Sequence, residues 1–463
     1  MENNAKILEF LYKKSNDSYN INQISRLLGI SVGSAFKILK DFEKLGYVIV
    51  NKKNNALLYR INISDKTKEF YDKIEENENR KSKKRTKVMC TIGSASNNPV
   101  IIKKLVEKGM DVVRIDACSY EKKDVIKMIQ NMRQDYGDLP ILLDIKQKSK
   151  EWIRFALKND LDFVSFYARN PDDIYYANKI LGYSDIKQVL GEKIKIIAKI
   201  DRNSLRNYRE IIDEAYGVII NRSELVSNKI EILPKLQKEI IDECNKYGKP
   251  VILAGNIFNS MIQNKQPAQS EVYNISNAVL EGISCLMMDE ETSNGKYPIE
   301  AVETISKIIK SAESGRIENS YYNINYDLTH FIGNTVSQLE KILHIDALLI
   351  ITSGGYSARM ISSRKLRCKT IAATSRMKIF RQLHLLWGIE PLHVNINTED
   401  ISNKDKKEVI LKAIKKGFIG KSDQIAIIAS VFHSKSKRTN LLETHNVSEF
   451  LDYLKYKKVS CEA

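Results

Sequence analysis

The sequence predicts an α/β fold class in three parts: a (β/α)8 TIM barrel, a smaller C-terminal α/β domain and an N-terminal winged helix. Three observations lead to this prediction. Short β-rich runs alternate with helical stretches eight times within residues 86–312, which is the pattern of a (β/α)8 barrel. Four more strand patterns, separated by helices, fill residues 313–463. Short amphipathic periods followed by two alternating stretches occupy residues 1–63.

The composition is that of a globular protein with several domains. The chain has 463 residues, of which 43% are hydrophobic and 28% charged, so wholesale disorder is excluded and about two to four domains are expected. No apolar run approaches the ~18 residues that cross a bilayer, and the N-terminus lacks the apolar core of a signal peptide. The six cysteines are scattered singly, which favours a reducing compartment. We therefore expect a cytoplasmic protein without a membrane partner.

Positive charge is in excess. The chain carries 74 Lys and Arg against 57 Asp and Glu, a formal net charge of +17. Residues 1–85 hold 18 Lys and Arg against 11 Asp and Glu, so much of the excess lies at the N-terminus. Such a balance favours anionic partners: nucleic acid, phosphorylated metabolites or an anionic surface. Solubility, or an organism whose proteins are rich in Lys, is the alternative explanation.

Residues 1–63 follow the order of a winged helix-turn-helix. Three amphipathic periods predict three helices, the third beginning after a Ser31 N-cap and ending at Gly46. Two alternating stretches, 47–50 and 56–61, are joined by the basic turn 51–55 and predict a β-ribbon. The stretch NINQISRLLGISVGSAFKILKDFEKLGYV resembles the helix-turn-helix of archaeal and bacterial regulators.

This resemblance implies a double-stranded DNA partner. The third helix would enter a major groove and the ribbon would contact phosphates. The residues expected to contact DNA are Ser31, Ser34, Lys37, Lys52 and Lys53. A winged helix that binds protein rather than DNA is the alternative. Residues 64–85 are highly charged without Pro or Gly and predict an exposed helix or linker.

Charged residues stand at the ends of the predicted barrel strands. The eight β-rich runs are 87–92, 111–116, 141–145, 163–167, 194–200, 217–221, 250–254 and 285–289. Because barrel chemistry lies at the C-terminal ends of the strands, charges at five of these eight ends indicate an anion or metal site. These residues are Arg114, Asp116, Asp144, Lys199, Asp201, Arg222, Glu224 and Asp289 to Glu291.

Several long motifs in this region resemble pyruvate kinase in order and spacing. In the barrel they read RTKVMCTIGSAS, GMDVVRIDACS, IIAKID, GKPVILAGNIFNSMI and NAVLEGISCLMMDEETSNGKYPIEAV. In the C-terminal region they read SGGYSARMISSRKLRCKTIAAT and RQLHLLWGIEPL. The resemblance covers about residues 85–450, and we expect a homo-oligomer, either a dimer or a tetramer.

The resemblance implies roles for individual residues. Arg114 and Lys199 match the family residues that grip the phosphate of phosphoenolpyruvate and act in catalysis. Asp201 and Glu224 match the magnesium ligands, although the two carboxylate lengths are exchanged relative to the family. Arg222 matches a family arginine beside the substrate, and Ser223 replaces the glycine that follows it.

Other positions depart from the family pattern. Gly255 stands where the family has a threonine, and Asp289 replaces a serine and would repel an anionic substrate. The potassium site is altered, because its four positions are Asp116, Cys118, Asp144 and Ile145, of which only Asp144 is unchanged. The matching potassium site is therefore degenerate, and we expect magnesium rather than potassium as the cofactor.

A whole domain of the family pattern is absent. Active members insert a lid of roughly a hundred residues between the third strand and its helix, whereas this chain runs from Asp144 and Lys146 directly into KSKEWIRFALKND. A lid excludes water and completes the catalytic constellation. Phosphoryl transfer depends on positioning and electrostatics, so we expect weak or no kinase activity.

The C-terminal region contains a glycine-rich loop after its first predicted strand. It resembles the effector-phosphate loop of the family, and a helix N-terminus favours an anion. The residues expected to bind phosphate are Thr352, Ser353, Gly354, Gly355 and Ser357. Many members have Lys at position 353 and Arg at position 356, where this chain has Ser and Tyr. A tight turn without a ligand is the alternative.

Two functions from different classes follow. The favoured interpretation is a DNA-binding transcription regulator whose degenerate pyruvate kinase-like body, a pseudoenzyme, senses a phosphorylated metabolite such as phosphoenolpyruvate. The alternative is a divergent pyruvate kinase that transfers phosphate from phosphoenolpyruvate to ADP and carries an accessory winged helix. A structural scaffold role is a third possibility. The retained Arg114, Lys199, Asp201 and Glu224 favour ligand binding over a barrel without a ligand.

Overall fold

The computed structural model describes most of the chain. The described residues are 2–14, 17–53, 56–64, 67, 84–182, 193–225, 230–314, 328–343, 345–398, 401–430 and 439–459. The chain divides into two compact units, Met1–Lys83 and Lys84–Ala463. The charged helix or linker predicted for residues 64–85 lies almost entirely outside the described residues.

The N-terminal unit combines three helices with a small antiparallel sheet. Its elements are α1 (Glu2–Lys13), β1 (Tyr19–Asn20), α2 (Ile21–Leu28), α3 (Val32–Lys44), β2 (Val48–Lys53) and β3 (Ala56–Ile61). The sheet order is β1-β3-β2. The three helices and the β2–β3 ribbon agree with the predicted elements, while assignment to the winged-helix class stays a prediction. Two details differ: β1 was not predicted, and β2 continues to Lys53, where a turn was expected.

Local signals explain the boundaries of α2 and α3. Asn20 and Gln23 form a reciprocal capping box at the start of α2, and Gly29 ends that helix with a left-handed φ of 65°. The Ser31 side chain accepts a hydrogen bond from the Ser34 amide and caps α3. Ile24, Leu39 and other apolar side chains of the three helices pack against the ribbon in one core.

The second unit begins with a closed barrel of eight parallel strands. Consecutive strands pair along the chain, and β11 pairs with β4 to close the barrel, which confirms the predicted barrel. The strands are β4 (Lys87–Thr91), β5 (Val112–Asp116), β6 (Ile141–Asp144), β7 (Phe163–Tyr167), β8 (Lys195–Ile200), β9 (Gly217–Asn221), β10 (Val251–Ala254) and β11 (Cys285–Met288).

Helices surround the barrel. They are α4 (Pro99–Lys108), α5 (Lys122–Asp135), α6 (Lys150–Lys158), α7 (Pro171–Ile180), α8 (Tyr208–Glu214), α9 (Arg222–Leu225), α10 (Leu233–Lys246), α11 (Gln269–Leu280), α12 (Glu290–Ser293) and α13 (Pro298–Glu313). Alternate strand residues such as Val88 and Val113 pack outward against these helices. The opposite set, including Met89 and Ile197, fills the barrel interior together with Leu385.

The C-terminal domain is a five-stranded sheet flanked by helices. Its elements are α14 (Leu328–Leu343), β12 (Ala347–Ile351), α15 (Tyr356–Ser362), β13 (Lys369–Thr374), α16 (Met377–Leu383), β14 (Ile389–His393), α17 (Asn403–Lys415), β15 (Gln424–Ala429), β16 (Leu441–Asn446) and α18 (Val447–Val459). The strand order is β14-β13-β12-β15-β16. The α/β domain was predicted, but β16, an antiparallel edge strand, was not.

The C-terminal domain closes the N-terminal end of the barrel. Leu385 enters the barrel interior, Lys87 Nζ donates to the Ile389 carbonyl at 2.9 Å, and Trp387 Nε1 donates to Thr86 Oγ1 at 3.2 Å. The C-terminal ends of the strands therefore form the mouth that remains for a site. In the described part of the chain, no helix is long and apolar enough to cross a membrane.

Candidate functional site

Two cations meet one buried carboxylate at the mouth of the barrel. Arg114 on β5 donates from Nε and Nη2 to Asp144 Oδ2 on β6, at 2.9 and 2.7 Å. Lys199 on β8 donates from Nζ to the same oxygen at 3.0 Å. The side chains of Arg114, Asp144 and Lys199 are 4%, 1% and 5% exposed. The fold therefore brings together the two residues predicted to grip a phosphate, and it places Asp144 between them.

Arg114 and Asp144 shift each other's pKa values in the direction that favours their charged forms. Burial alone would raise the pKa of Asp144, but Arg114 and Lys199 outweigh it and hold that pKa below its usual value. Burial alone would lower the pKa of Arg114, but Asp144, Asp289 and Asp116 outweigh it and raise that pKa further. The pKa shifts favour the ionised carboxylate and the charged guanidinium, so Arg114 and Asp144 form a buried ion pair at the mouth.

Arg114 has two further partners. Its Nη1 donates to Thr91 Oγ1 at 2.8 Å and to Asp289 Oδ1 at 2.7 Å. Thr91 Oγ1 in turn donates to the Met288 carbonyl at 2.9 Å. Asp289 is 52% exposed and follows β11, so the carboxylate that replaces the family serine lies directly on the predicted phosphate-binding arginine.

Tyr167, at the end of β7, links the two halves of the mouth. Lys199 Nζ lies 4.4 Å from the centroid of its ring, a cation–π distance. Its hydroxyl accepts from Asn221 Nδ2 at 3.2 Å. Burial and, second to it, the nearby Glu224 carboxylate raise the pKa of Tyr167 above its usual value. Sequence reasoning missed this residue, although an aromatic residue at a barrel-strand end was a usable signal.

The predicted magnesium ligands follow adjacent strands, Asp201 directly after β8 and Glu224 in α9. The two segments are in contact, since the Arg202 amide donates to the Glu224 carbonyl at 3.1 Å. Asp201 Oδ1 accepts from the amides of Asn203 and Ser204 at 3.0 and 3.1 Å, which fixes its carboxylate in its own loop. Glu224 is exposed. Within the described residues, no group of three or more His, Cys, Asp or Glu could hold a metal. Magnesium binds through one or two carboxylates plus substrate phosphates, so a site formed by Asp201 and Glu224 would be shared with a phosphorylated ligand, and it stays a prediction.

The predicted degenerate potassium positions do not fit that ion. Asp144 is committed to Arg114 and Lys199, and Asp116 Oδ1 accepts from the Cys118 amide at 2.9 Å. Ile145 is buried and apolar. A hard cation needs several oxygen ligands, and of these four positions only Asp116 and Asp144 are carboxylates, both of which already have partners.

Arg222 and Ser223 shape the rim rather than face the Arg114 group. Arg222 donates from Nε to the Gly255 carbonyl at 3.1 Å and from Nη2 to the Asn256 carbonyl at 2.8 Å; burial lowers its pKa. Ser223 Oγ donates to Asn221 Oδ1 at 2.8 Å. Gly255 has φ +81°, and a Cβ there would lie 2.6 Å from Asn221 Oδ1, so the family threonine would strain the backbone here and displace the Asn221 side chain.

The connection between the third strand and its helix, which the structure describes in full, contains no inserted domain. Strand β6 ends at Asp144 and α6 begins at Lys150, so only residues 145–149 connect them. Ser149 caps α6 by accepting from the Trp152 amide at 3.4 Å. The predicted direct connection is therefore present.

Several polar groups of the glycine-rich loop between β12 and α15 form hydrogen bonds within the C-terminal domain. The Gly355 amide donates to Thr352 Oγ1 at 3.0 Å, and the hydroxyls of Ser357 and Thr439 are hydrogen-bonded to each other. Ser353 and Gly354 are half-buried. The loop has the predicted turn, while phosphate binding by its five residues stays a prediction.

The residues predicted to contact DNA lie on the surface of the N-terminal unit. Ser31, Ser34, Lys37 and Lys52 are exposed. The Ser31 hydroxyl is committed to the helix cap, since it accepts from the Ser34 amide at 3.2 Å. The side chain of Lys53 lies outside the described residues.

Comparisons with known proteins agree with this geometry. The family described as "Pyruvate kinase, barrel domain" matches residues 138–302, and "Pyruvate kinase, alpha/beta domain" matches residues 330–445. The chain belongs to the pyruvate kinase family. The DNA-binding regulator favoured by the sequence receives no support from these comparisons, and the alternative, a divergent pyruvate kinase, fits them better.

Individual relatives carry the same name. The chain is 31% identical over 319 residues to a pyruvate kinase of Clostridium acetobutylicum, covering 65% of this chain and 64% of the relative. It is 29% identical over 313 residues to one of Sporosarcina psychrophila, covering 66% and 52%. It is 30% identical over 318 residues to one of Staphylococcus epidermidis, covering 66% and 52%. The chain thus spans about half to two thirds of the length of these curated relatives.

Proposed function

We propose that the barrel is a divergent pyruvate kinase site that binds phosphoenolpyruvate with magnesium and transfers its phosphoryl group to ADP. The observation that carries this proposal is the convergence of Arg114 and Lys199, from β5 and β8, on one buried point at the barrel mouth. Phosphoryl transfer needs preorganised positive charge more than covalent chemistry. These two cations supply it.

Each residue has a defined task in this proposal. Arg114 and Lys199 orient the phosphate and stabilise charge that develops on its oxygens. Asp144 holds the Arg114 and Lys199 side chains in place when no ligand is bound. Magnesium, held by Asp201 and Glu224, would neutralise phosphate charge when bound. The Tyr167 ring packs against the Lys199 ammonium.

The exposure of the barrel mouth to water is expected to lower the rate of phosphoryl transfer. Without a lid, water reaches the phosphates and each electrostatic contact acts at a higher effective dielectric. Loss of one preorganised donor costs about 10²–10³ in rate in other enzymes. We therefore expect turnover far below about 1 s⁻¹, the lower end of the usual enzyme range.

The test is a lactate dehydrogenase-coupled assay of the full chain with phosphoenolpyruvate, ADP, magnesium and potassium. Pyruvate formation should be slow and should disappear in Lys199→Met. The matched control is Lys103→Met, because Lys103 is exposed on the outer helix α4. Activity that is absent from wild type, or that survives Lys199→Met, would contradict the proposal and leave ligand sensing as the function of the barrel.

A second function is proposed for the N-terminal unit: binding of double-stranded DNA as a winged helix. It is favoured by the exposure of Ser34 and Lys37 on α3 and of Lys52 on the ribbon. The same helix also exposes Val32 and Phe36, at 46% and 48%, which suits the alternative of a protein partner. The two alternatives differ in their dependence on salt.

The DNA proposal is tested by titrating the full chain with duplex DNA at several salt concentrations. The logarithm of affinity should fall with the logarithm of salt concentration, with a slope of about −0.9 per phosphate neutralised. The double variant Lys37→Ala/Lys52→Ala should reduce that slope, and Lys103→Ala should leave it unchanged. Equal affinity after removal of residues 1–63 would exclude this unit as the DNA-binding part.

A further inference from the structure

The Arg114 guanidinium has few donors left for a ligand. Of its five N–H groups, four are taken: two by Asp144, one by Thr91 and one by Asp289. The remaining group on Nη2 faces Asp116, whose Oδ2 lies 3.6 Å away. An anion that binds Arg114 through more than this one N–H group must therefore replace one of these partners.

Asp289 is the partner that can be replaced. Asp144 is 1% exposed and shared with Lys199, and Thr91 Oγ1 is fixed by its bond to the Met288 carbonyl. The Asp289 carboxylate is 52% exposed, so it can turn into water while keeping its charge solvated. Its contact with Arg114 is made at the open side of the mouth.

The backbone nevertheless holds Asp289 in place. Its amide donates to Glu291 Oε2 at 2.8 Å, and the Phe258 amide donates to Glu291 Oε1 at 2.7 Å. The Asp289 carbonyl accepts from the Ser293 amide at 3.0 Å. The buried Glu291 therefore fixes the turn that presents the Asp289 carboxylate to Arg114, and only the Asp289 side chain is free to move away.

We propose that Asp289 is an internal competitor that occupies the anion position on Arg114 and sets the affinity of the site for its ligand. This inference rests on the proposed function, because it assumes that the phosphate of the ligand binds Arg114. Around Arg114 and Lys199, the carboxylates of Asp116, Asp144 and Asp289 give a net negative charge. A monoanion that replaces Asp289 gives Arg114 an interaction of about the same strength as the one it loses. A phosphate dianion binds Arg114 more strongly than the Asp289 carboxylate does, and an accompanying divalent cation offsets its added negative charge. The site is thereby selective for metal-bound phosphorylated ligands.

The test compares Asp289→Ser and Asp289→Asn with Glu290→Gln in the full chain. Glu290 is exposed on the same turn, so its neutralisation changes the net charge equally without touching Arg114. Calorimetry with phosphoenolpyruvate and magnesium should show about tenfold tighter binding for Asp289→Ser, the scale of a half-exposed charge-assisted hydrogen bond. Asp289→Asn should gain less, since its amide oxygen still accepts from Arg114, and Glu290→Gln should match wild type.

Each outcome has a distinct meaning. If wild type binds and Asp289→Ser binds no tighter, or if Glu290→Gln gains as much, the competitor role is wrong and the proposed function stands. If neither wild type nor Asp289→Ser binds while both melt cooperatively, the proposed function is wrong at this site, and the inference with it. Adding Lys199→Met to Asp289→Ser should abolish the gained affinity, which shows that the ligand occupies this mouth.

Discussion

The barrel mouth and the glycine-rich loop of residues 352–357 both resemble phosphate sites, but they are built differently. The mouth holds Arg114 and Lys199 on rigid strands around a buried carboxylate. The loop has a suitable turn, yet its Thr352 and Ser357 hydroxyls are used within the C-terminal domain. At the loop positions where many family members have Lys and Arg, this chain has Ser353 and Tyr356.

The difference shows that loop shape and fixed charge are separate requirements for anion binding. A turn offers backbone N–H groups, whereas guanidinium and ammonium groups supply the charge that competes with water for a phosphate. This chain keeps both cations at the mouth. We therefore expect substitutions at the mouth to affect stability and binding more than those at the loop.

The largest effect is expected from Arg114→Met. It leaves Asp144 buried with only Lys199 as a partner, and breaking a buried ion pair costs about 3–5 kcal/mol. Urea unfolding followed by tryptophan fluorescence measures the loss. Arg154→Met, on the exposed face of α6, is the control and should cost less than about 0.5 kcal/mol. Equal losses in the two variants would show that the mouth has no special role in stability.

The next prediction compares the loss of stability caused by alanine at two glycines that both have a left-handed backbone conformation. Gly255 and Gly355 have φ of +81° and +78°, but a Cβ on Gly255 would lie 2.6 Å from Asn221 Oδ1, whereas one on Gly355 meets nothing closer than 3.5 Å. Gly355→Ala should cost about 1–2 kcal/mol for the backbone alone. Gly255→Ala adds overpacking and should cost about 2–4 kcal/mol. A smaller loss at Gly255 would mean that the rim rearranges easily.

The third prediction concerns acid. The folded-state pKa of Asp144 is lowered, so its contribution to stability is complete above its unfolded value of about 3.9 and is lost as pH falls through the folded-state value. Asp144→Asn should be less stable than wild type at pH 7, and the difference should shrink on acidification. Urea midpoints across this range measure it. A difference independent of pH would exclude an ionised Asp144.

The smallest effect is expected from Ser353→Ala. Because residues 352–357 contain no cationic side chain, the loop should contribute little to phosphate binding, and affinity for inorganic phosphate should change by less than about twofold. The same titration with Lys199→Met gives the comparison. A larger loss at Ser353 than at Lys199 would reverse the ranking of the two sites.

Most of the fold was predictable because its signals are local. Runs such as 163–167 and 217–221 became strands with the predicted bounds, since apolar β-rich stretches are buried on both sides in a parallel barrel. The strand Leu441–Asn446 was missed because LLETHN is mostly polar and lies at a sheet edge. The strand Tyr19–Asn20 is too short to show any periodicity.

The site was predictable only in part. Arg114 and Lys199 could be identified from their positions at strand ends and from the family resemblance. Asp144 could not be recognised as their shared partner, because β8 lies two strands from β6 and their distance depends on barrel closure. Thr91 was missed for the same reason, since its bond to Arg114 joins residues far apart in sequence. Glu291 was counted among the strand-end charges, but its role in holding the turn at Asp289 depends on its bond to the distant Phe258 amide.

The pairing of β11 with β4 joins the two barrel strands that lie farthest apart in the sequence. Seven of the eight strand pairs join neighbours along the chain, but Lys87 pairs with Cys285, and Lys87 also binds the Ile389 carbonyl beyond the barrel. Contacts between distant segments form slowly because a long loop must first close. During synthesis, β4 therefore emerges from the ribosome early and keeps an unpaired edge until β11 follows. The first strand of the barrel is the one that most needs protection while the chain is incomplete.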